Sequence, residues 1–361
     1  MKSINSKYLS RIDHLRFFAA SLLIFHHFRG ENLKWDGTYT FKQMIILWLN
    51  NGSSGVSLFL VLTGFLFCII SDAGRKKIKY SGYIYNRILR IFPLMTLICF
   101  IVICISRQSS TPMDILRILT LQLNTGQSFT GWGHDFFPVG PIWTIAVEFH
   151  FYLIFPFIAL FLNKYGKTYI LGLVLLFIFI KFTIATISGS NIYFNLYHTI
   201  IGRMDQFIIG MFYALMYINH NSVKLENKLL STITTLLSLF ALTCLFTLKK
   251  ETVFYCSLSF TIEALAWGLI ILCYLKIKLP DNKYLENVLS SLGSISFSLY
   301  LLHLPVGTLI SKIFQFNQPL NITSSITQSL IRLAFIIGIS YLTYFSIEKP
   351  FMSLRVKYTN E

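Results

Sequence analysis

Ile12-Asp13-His14-Leu15-Arg16-Phe17-Phe18-Ala19-Ala20-Ser21-Leu22-Leu23-Ile24-Phe25-His26-His27-Phe28 is an apolar stretch with an arginine near one end and a histidine pair near the other. Read as a helix, the eleven residues from Arg16 to His27 turn the chain by about 20° beyond three full turns, so both side chains leave one face. They stand roughly 16 Å apart along the axis. An arginine in hydrocarbon costs about 2.5–3.5 kcal/mol on insertion scales, so a cation and a titratable base sharing a face of a membrane helix point to function. The plainer reading of the stretch alone is that Arg16 snorkels to the interface and His27 caps the far end.

The rest of the chain keeps this character. Of 361 residues, 54% are hydrophobic and 13% charged, against about 25% charged in soluble domains. Apolar windows long enough to cross a bilayer fall near residues 14–30, 53–71, 89–107, 142–162, 168–187, 199–218, 230–248, 253–275, 290–312 and 326–347. The expected fold is therefore all-α, a polytopic membrane protein of about ten transmembrane helices in one domain over residues 1–361. With the N-terminus inside, 19 of the 31 Lys and Arg fall in inner segments, 8 in outer ones and the remaining four in or near spans. Both termini are thus expected to be cytoplasmic.

The net charge of +16 sits in short clusters between apolar segments, with no basic domain to gather it, so topology explains it and no nucleic-acid partner is expected. The six cysteines lie in or beside apolar stretches without metal-ligand spacing, and read as small core residues. No cleavable signal is expected, because the first apolar segment carries Arg16 and the histidine pair and no cleavage site follows it. The long outer loop, about 108–141, contains Thr130-Gly131-Trp132-Gly133-His134-Asp135-Phe136-Phe137-Pro138. Its aromatic content predicts an ordered lip over a substrate site, with Trp132 either touching substrate or resting in the headgroup belt. Neither an inverted repeat nor a matched pair of broken helices of the transporter kind is visible.

Two further clusters can carry chemistry. In Tyr83-Ile84-Tyr85-Asn86-Arg87-Ile88-Leu89-Arg90-Ile91-Phe92-Pro93, Arg87 and Arg90 are at i and i+3 on one helix face, and paired guanidinium forks suit phosphate. Positive-inside anchoring is the plainer account of that pair. In Pro141-Ile142-Trp143-Thr144-Ile145-Ala146-Val147-Glu148-Phe149-His150-Phe151-Tyr152, Glu148 lies about two turns into a span and needs a partner. His27 is expected at a similar depth, which would make a carboxylate–histidine pair suited to general-base catalysis. A structural ion pair of Glu148 with Arg203 or Arg332 is the alternative. His26 points about 100° away from His27 and reads as a packing residue.

In this order the residues resemble the acyltransferase family 3 membrane proteins. Arg16 and His27 match the family's arginine, ten residues, histidine signature. Gly55-Val56-Ser57-Leu58-Phe59-Leu60-Val61-Leu62-Thr63-Gly64-Phe65-Leu66 is similar to its second-helix signature, with Leu60 and Thr63 where Phe and Ser are usual. Arg87 and Arg90 match its two-arginine motif, and Trp143, Glu148, Tyr152 and Pro156 its fourth-helix motif. Arg203 to Gly210, Ser298-Leu299-Tyr300-Leu301-Leu302-His303-Leu304-Pro305 and Glu348-Lys349-Pro350 are similar as well.

The resemblance implies transfer of an acyl group, usually acetyl, from cytoplasmic acyl-coenzyme A (acetyl-CoA) to a hydroxyl of a glycan or glycolipid acceptor at the outer face, without a metal. It implies His27 as catalytic base, and Arg16, Arg87 and Arg90 as coenzyme-binding residues; Glu148 as the catalytic partner of His27 rests on the depth argument above. Trp132, Trp143, Tyr152 and Arg203 are the candidate substrate-binding residues. The expected setting is the inner membrane of a bacterium, and the expected acceptor an O-antigen, capsule or exopolysaccharide. The chain ends eleven residues after Pro350, so a stand-alone member without the extra soluble domain of some relatives is expected. A transporter or flippase of a surface-glycan precursor would also show intramembrane charges such as Arg203, Asp205, Glu263 and Arg332. A catalytically silent partner would be expected to lack one of Arg16, His27 or Glu148, and all three are present.

Overall fold

The computed structural model describes residues 8–105, 142–187, 191–219, 225–278 and 282–359, together with 107–108, 111–113, 116, 120–121, 133–134 and 137–138. Trp132 and most of the long loop lie outside the described residues. In chain order the helices are α1 (Ser10–Phe28), α2 (Phe41–Asn50), α3 (Ser54–Ile70), α4 (Tyr80–Ile105), α5 (Trp143–Ile187), α6 (Ile192–Tyr197) and α7 (Ile200–Ile218). They continue with α8 (Lys228–Phe246), α9 (Val253–Lys276), α10 (Lys283–Ser294), α11 (Ser296–Ile313), α12 (Ile322–Thr343), a π-helical turn at Tyr344–Glu348 and α13 (Lys349–Ser353). Among the described residues the β structure is a two-residue antiparallel pairing of Gly133–His134 with Phe137–Pro138 and an isolated bridge between Ile78 and Thr359.

Each of the ten apolar windows holds a helix. Windows 142–162 and 168–187 share the 45-residue α5, which is broken at Gly166, where φ 69° and ψ −152° leave the helical region. A positive φ of this kind favours glycine. By length and composition, α4, α5, α8, α9 and the stretch Ile322–Ser353 can cross a membrane. Two bent pairs, α2 with α3 at 61° and α10 with α11 at 64°, raise these five to as many as seven.

Neither α1 nor α7 is among the five because each carries charge. α1 holds Arg11, Asp13, Arg16 and three histidines, and α7 holds Arg203, Asp205 and Gln206, which are all fully buried. Such residues are tolerated at membrane depth when protein surrounds them. The lipid-facing character lies elsewhere: α5 exposes Leu175, Phe179 and Phe182, and α8 exposes Leu236, Leu237 and Phe240. That pattern is the inverse of a soluble surface, and the chain is an integral membrane protein.

Backbone proximity fixes the centre of the bundle. A Cβ on Gly64 of α3 would lie 2.0 Å from the Phe207 carbonyl oxygen of α7, and one on Gly210 would lie 2.2 Å from the Val61 carbonyl oxygen. Small residues allow such crossings in membranes, where no hydrophobic drive brings helices together. α1 packs against α3, α10 and α11 with Ala19, Ala20, Leu23 and Ile24 buried. The helix that carries Arg16 and His27 is thus an inner member of the bundle.

Candidate active site

Three adjoining cavities follow the line from Arg16 to His27. The first, here the arginine chamber, is lined by Arg16, Arg87, Arg90, Glu148, Tyr152 and Arg355 among others and encloses about 1090 Å³ including its mouth. Arg87 lies over the rings of Phe67 at 5.0 Å and Tyr152 at 5.7 Å, and its Nε makes no hydrogen bond within the described residues. Arg90 Nη1 pairs with Glu348 Oε2 at 3.0 Å, while Ser298 donates to the other oxygen of that carboxylate. The π-helical turn therefore delivers Glu348 to the chamber wall, and α11 holds it there. Arg16 has Asp13 at 3.8 Å. Burial, then the neighbouring Arg90 and Arg87, push the Arg355 guanidinium down to about 9. Guanidiniums crowded in this way are stabilised by an oxyanion placed between them.

The second cavity, a narrow passage of about 50 Å³, shares Arg16, Glu148 and Phe297 with the first and is otherwise walled by side chains such as Phe59, Leu60 and Ile145. Thr63 donates to Glu148 Oε1 at 2.8 Å. Thr63 stands where serine is usual in the resembling signature, and it supplies the same hydroxyl. Toward the far end, Thr144 donates to the Tyr300 hydroxyl at 2.6 Å.

The third cavity, the histidine chamber, shares Val56 and Tyr300 with the passage and holds about 1230 Å³ open to its surroundings. His26, His27, Arg29, Trp143, His198 and Lys250 line it. His27 is exposed to this space, as a base must be. Its ring lies 5.1 Å from that of His303, on α11, and 5.2 Å from that of His26. His303 Nδ1 is 2.5 Å from the Tyr300 carbonyl, so Nδ1 carries the proton and Nε2 is left an acceptor. That Nε2 is buried and has no hydrogen-bond partner among the described residues. His26 donates from Nδ1 to the Leu49 carbonyl at 2.9 Å.

The sequence-predicted residues are thus brought together in part. Arg16, Arg87 and Arg90 share one chamber, and Trp143 shares another with His27, its ring 4.5 Å from that of His198. The expected His27–Glu148 pair is not made. Glu148 is five residues, or about 7.5 Å along α5, beyond Trp143, and this rise carries it to the level of Arg16. Neither alternative partner, Arg203 or Arg332, reaches it in an ion pair among the described residues.

Tyr152, expected at the acceptor, is one turn further along and lines the arginine chamber. Arg203 stands behind the wall and outside the cavities. It is sandwiched between Tyr197 and Phe260 at 4.1 and 4.0 Å and bonded to the Tyr197 carbonyl at 2.9 Å. Trp132 lies outside the described residues. His303, Tyr300 and Arg355 were missed as site residues. The first two stand in the stretch Ser298–Pro305, and Arg355 lies beyond the last motif at Glu348–Pro350. Among the described residues no group of three His, Cys, Asp or Glu side chains is placed to hold a metal ion.

A lipid-facing helical bundle with an arginine-lined chamber joined by an apolar passage to a chamber with an exposed histidine defines a membrane-embedded group-transfer enzyme. The chain belongs to acyltransferase family 3: the family described as "Acyltransferase domain" matches residues 9–345, and the protein is an acyltransferase. A Haemophilus influenzae protein described as uncharacterized is 24% identical over 236 residues, 60% of this chain and 96% of that one. The O-acetyltransferase OatA of Staphylococcus aureus is 25% identical over 214 residues, which are 54% of this chain and 33% of OatA. The chain thus spans a third of the length of that relative. No solved structure matches.

Proposed function

We propose that the protein is a membrane O-acetyltransferase that moves the acetyl group of cytoplasmic acetyl-coenzyme A to a hydroxyl of a lipid-linked or growing cell-surface polysaccharide. The observation that carries this reading is the line of adjoining cavities from four arginines to His27. The choice of acetyl rests on the likeness to OatA. The coenzyme phosphates bind Arg87, Arg16 and Arg355, with Arg90 held in place by Glu348. The pantetheine arm takes the line of the passage, which widens to admit it, over the roughly 16 Å from Arg16 to His27. Glu148 accepts from the amide N–H groups of that arm.

At the far end His27 removes the proton of the acceptor hydroxyl, whose oxygen attacks the thioester carbonyl. The C–S bond breaks, and the thiolate leaves with the proton that His27 received. His303 Nε2, unpartnered at rest with its ring 5.1 Å from that of His27, comes to accept from the imidazolium N–H as the proton moves, the part the sequence reading gave to Glu148. In this arrangement the arginine chamber faces the cytoplasm of a bacterium, both termini are cytoplasmic and the helices of the ten windows all contribute to crossing the inner membrane.

The test is transfer of label from acetyl-coenzyme A to oligosaccharide acceptors by the purified protein in nanodiscs. His27→Ala should lower the rate by about 10²–10⁴ and keep donor binding, whereas His26→Ala keeps most of the activity. A His27→Ala protein turning over at the parent rate would remove His27 from the reaction.

A further inference from the structure

Beyond His27 a fourth cavity opens, a recess to which the steps above assign no group. It holds about 350 Å³ and is lined by His27, Arg29, Glu31, Ser311, Asn317 and Arg332 among others, so it meets the histidine chamber at His27 and Arg29. Arg332, on α12, is only 5% exposed. Its guanidinium is stacked between Phe28 at 4.8 Å and Phe316 at 4.7 Å. Nε donates to Ser311 Oγ at 2.9 Å and Nη2 to Gln328 Oε1 at 3.4 Å. Nη1 is buried and has no partner, and among the described residues no carboxylate makes an ion pair with Arg332. Glu31, the acid of the recess, acts on Arg29.

The two rings stabilise the cation through their faces but cannot accept its N–H bonds. A guanidinium this buried, clamped by two neutral acceptors and two rings, is oriented without being neutralised. The missing component is an oxyanion arriving from the recess.

We propose that this recess is the acceptor subsite, and that it takes a glycan bearing an oxyanion, held by Arg332 so that a neighbouring hydroxyl reaches His27. The oxyanion is the carboxylate of an acidic sugar or the phosphate of a sugar phosphodiester. Ser311 and Asn317 offer neutral polar groups for the remaining sugar hydroxyls. This assignment rests on the acyl-transfer reading above.

Binding is measured without acyl donor by calorimetry on the purified parent, Arg332→Gln and Arg332→Lys proteins in nanodiscs. Three trisaccharide probes of equal length are used: one with a glucuronic acid, one with a glycerol phosphodiester, and the neutral carboxyl-reduced form. The parent should bind one charged probe at least about tenfold more tightly than the neutral one, with a preference that weakens as salt rises. Which charged probe binds identifies the source of the oxyanion. Arg332→Gln should lose the preference and keep the neutral affinity, and Arg332→Lys should recover part of it. Equal binding of all three probes to the parent, no binding of any, or a preference that survives in Arg332→Gln overturns the proposal. If Arg332→Gln does not fold, the comparison of probes on the parent decides alone. Acetyl transfer from bound acetyl-coenzyme A to the neutral probe at full rate would overturn this assignment and leave the acyl-transfer reading standing. Absence of acetyl-coenzyme A binding by the parent would remove that reading itself.

Discussion

A neutral imidazole offers one nitrogen as a base, and which nitrogen that is depends on what the other one meets. For His27 the neighbour is His303, whose own tautomer follows from its bond to the Tyr300 carbonyl. Replacing His303 by Ala should lower kcat by about tenfold to a hundredfold with little change in donor KM, since a disoriented base weakens proton transfer and not phosphate binding. His303→Gln keeps a side-chain acceptor and should restore part of kcat, an outcome that a packing role alone would not produce. At the other end, Arg355→Ala should weaken donor binding by about 1–2 kcal/mol while kcat at saturation holds, read from titration of coenzyme A. The alignment of Arg16 with His27, and of Arg87 with Arg90, was legible in the sequence because helical period alone decides it. The partner of Glu148 was not, because its depth depends on how α5 packs against α7, α9 and α3. Arg355 escaped notice because it follows the last helix, in a segment with no period to give it a face.

At the scale of the element, the windows were legible because apolar length is a local property. The bends between α2 and α3 and between α10 and α11, and the π-helical turn, were not, since packing decides them. The turn matters most, because it sets Glu348 against Arg90. Close packing of α3 on α7 yields a direct expectation. Gly64→Ala drives a Cβ into the Phe207 carbonyl and should cost on the order of 1–3 kcal/mol. Gly338→Ala on α12 meets nothing within 4 Å and should be neutral or slightly stabilising. Thermal unfolding of the two variants in the same detergent checks the contrast, and a Gly64→Ala protein as stable as the parent would mean that the crossing is looser than described.

For the whole molecule, the fold class was legible from composition, while the direction in which the chambers face is proposed from the distribution of cations alone. A reporter fused after Glu361 should be active only in its cytoplasmic form, and a periplasmic signal from that fusion would reverse the chambers. That orientation gives the hydrogen bond between Thr144 and Tyr300 a second meaning. Cavities strung between two faces of a membrane are a potential leak, and each elementary charge that slips across 100 mV dissipates about 2.3 kcal/mol. Tyr300 stands where passage and histidine chamber meet, so under the proposed function the neck that guides the thioester would also insulate the proton gradient. Tyr300→Ala should therefore make proteoliposomes measurably proton-conductive even with no substrate present, and an enzyme of this design can admit its donor only as a plug that replaces the seal it displaces.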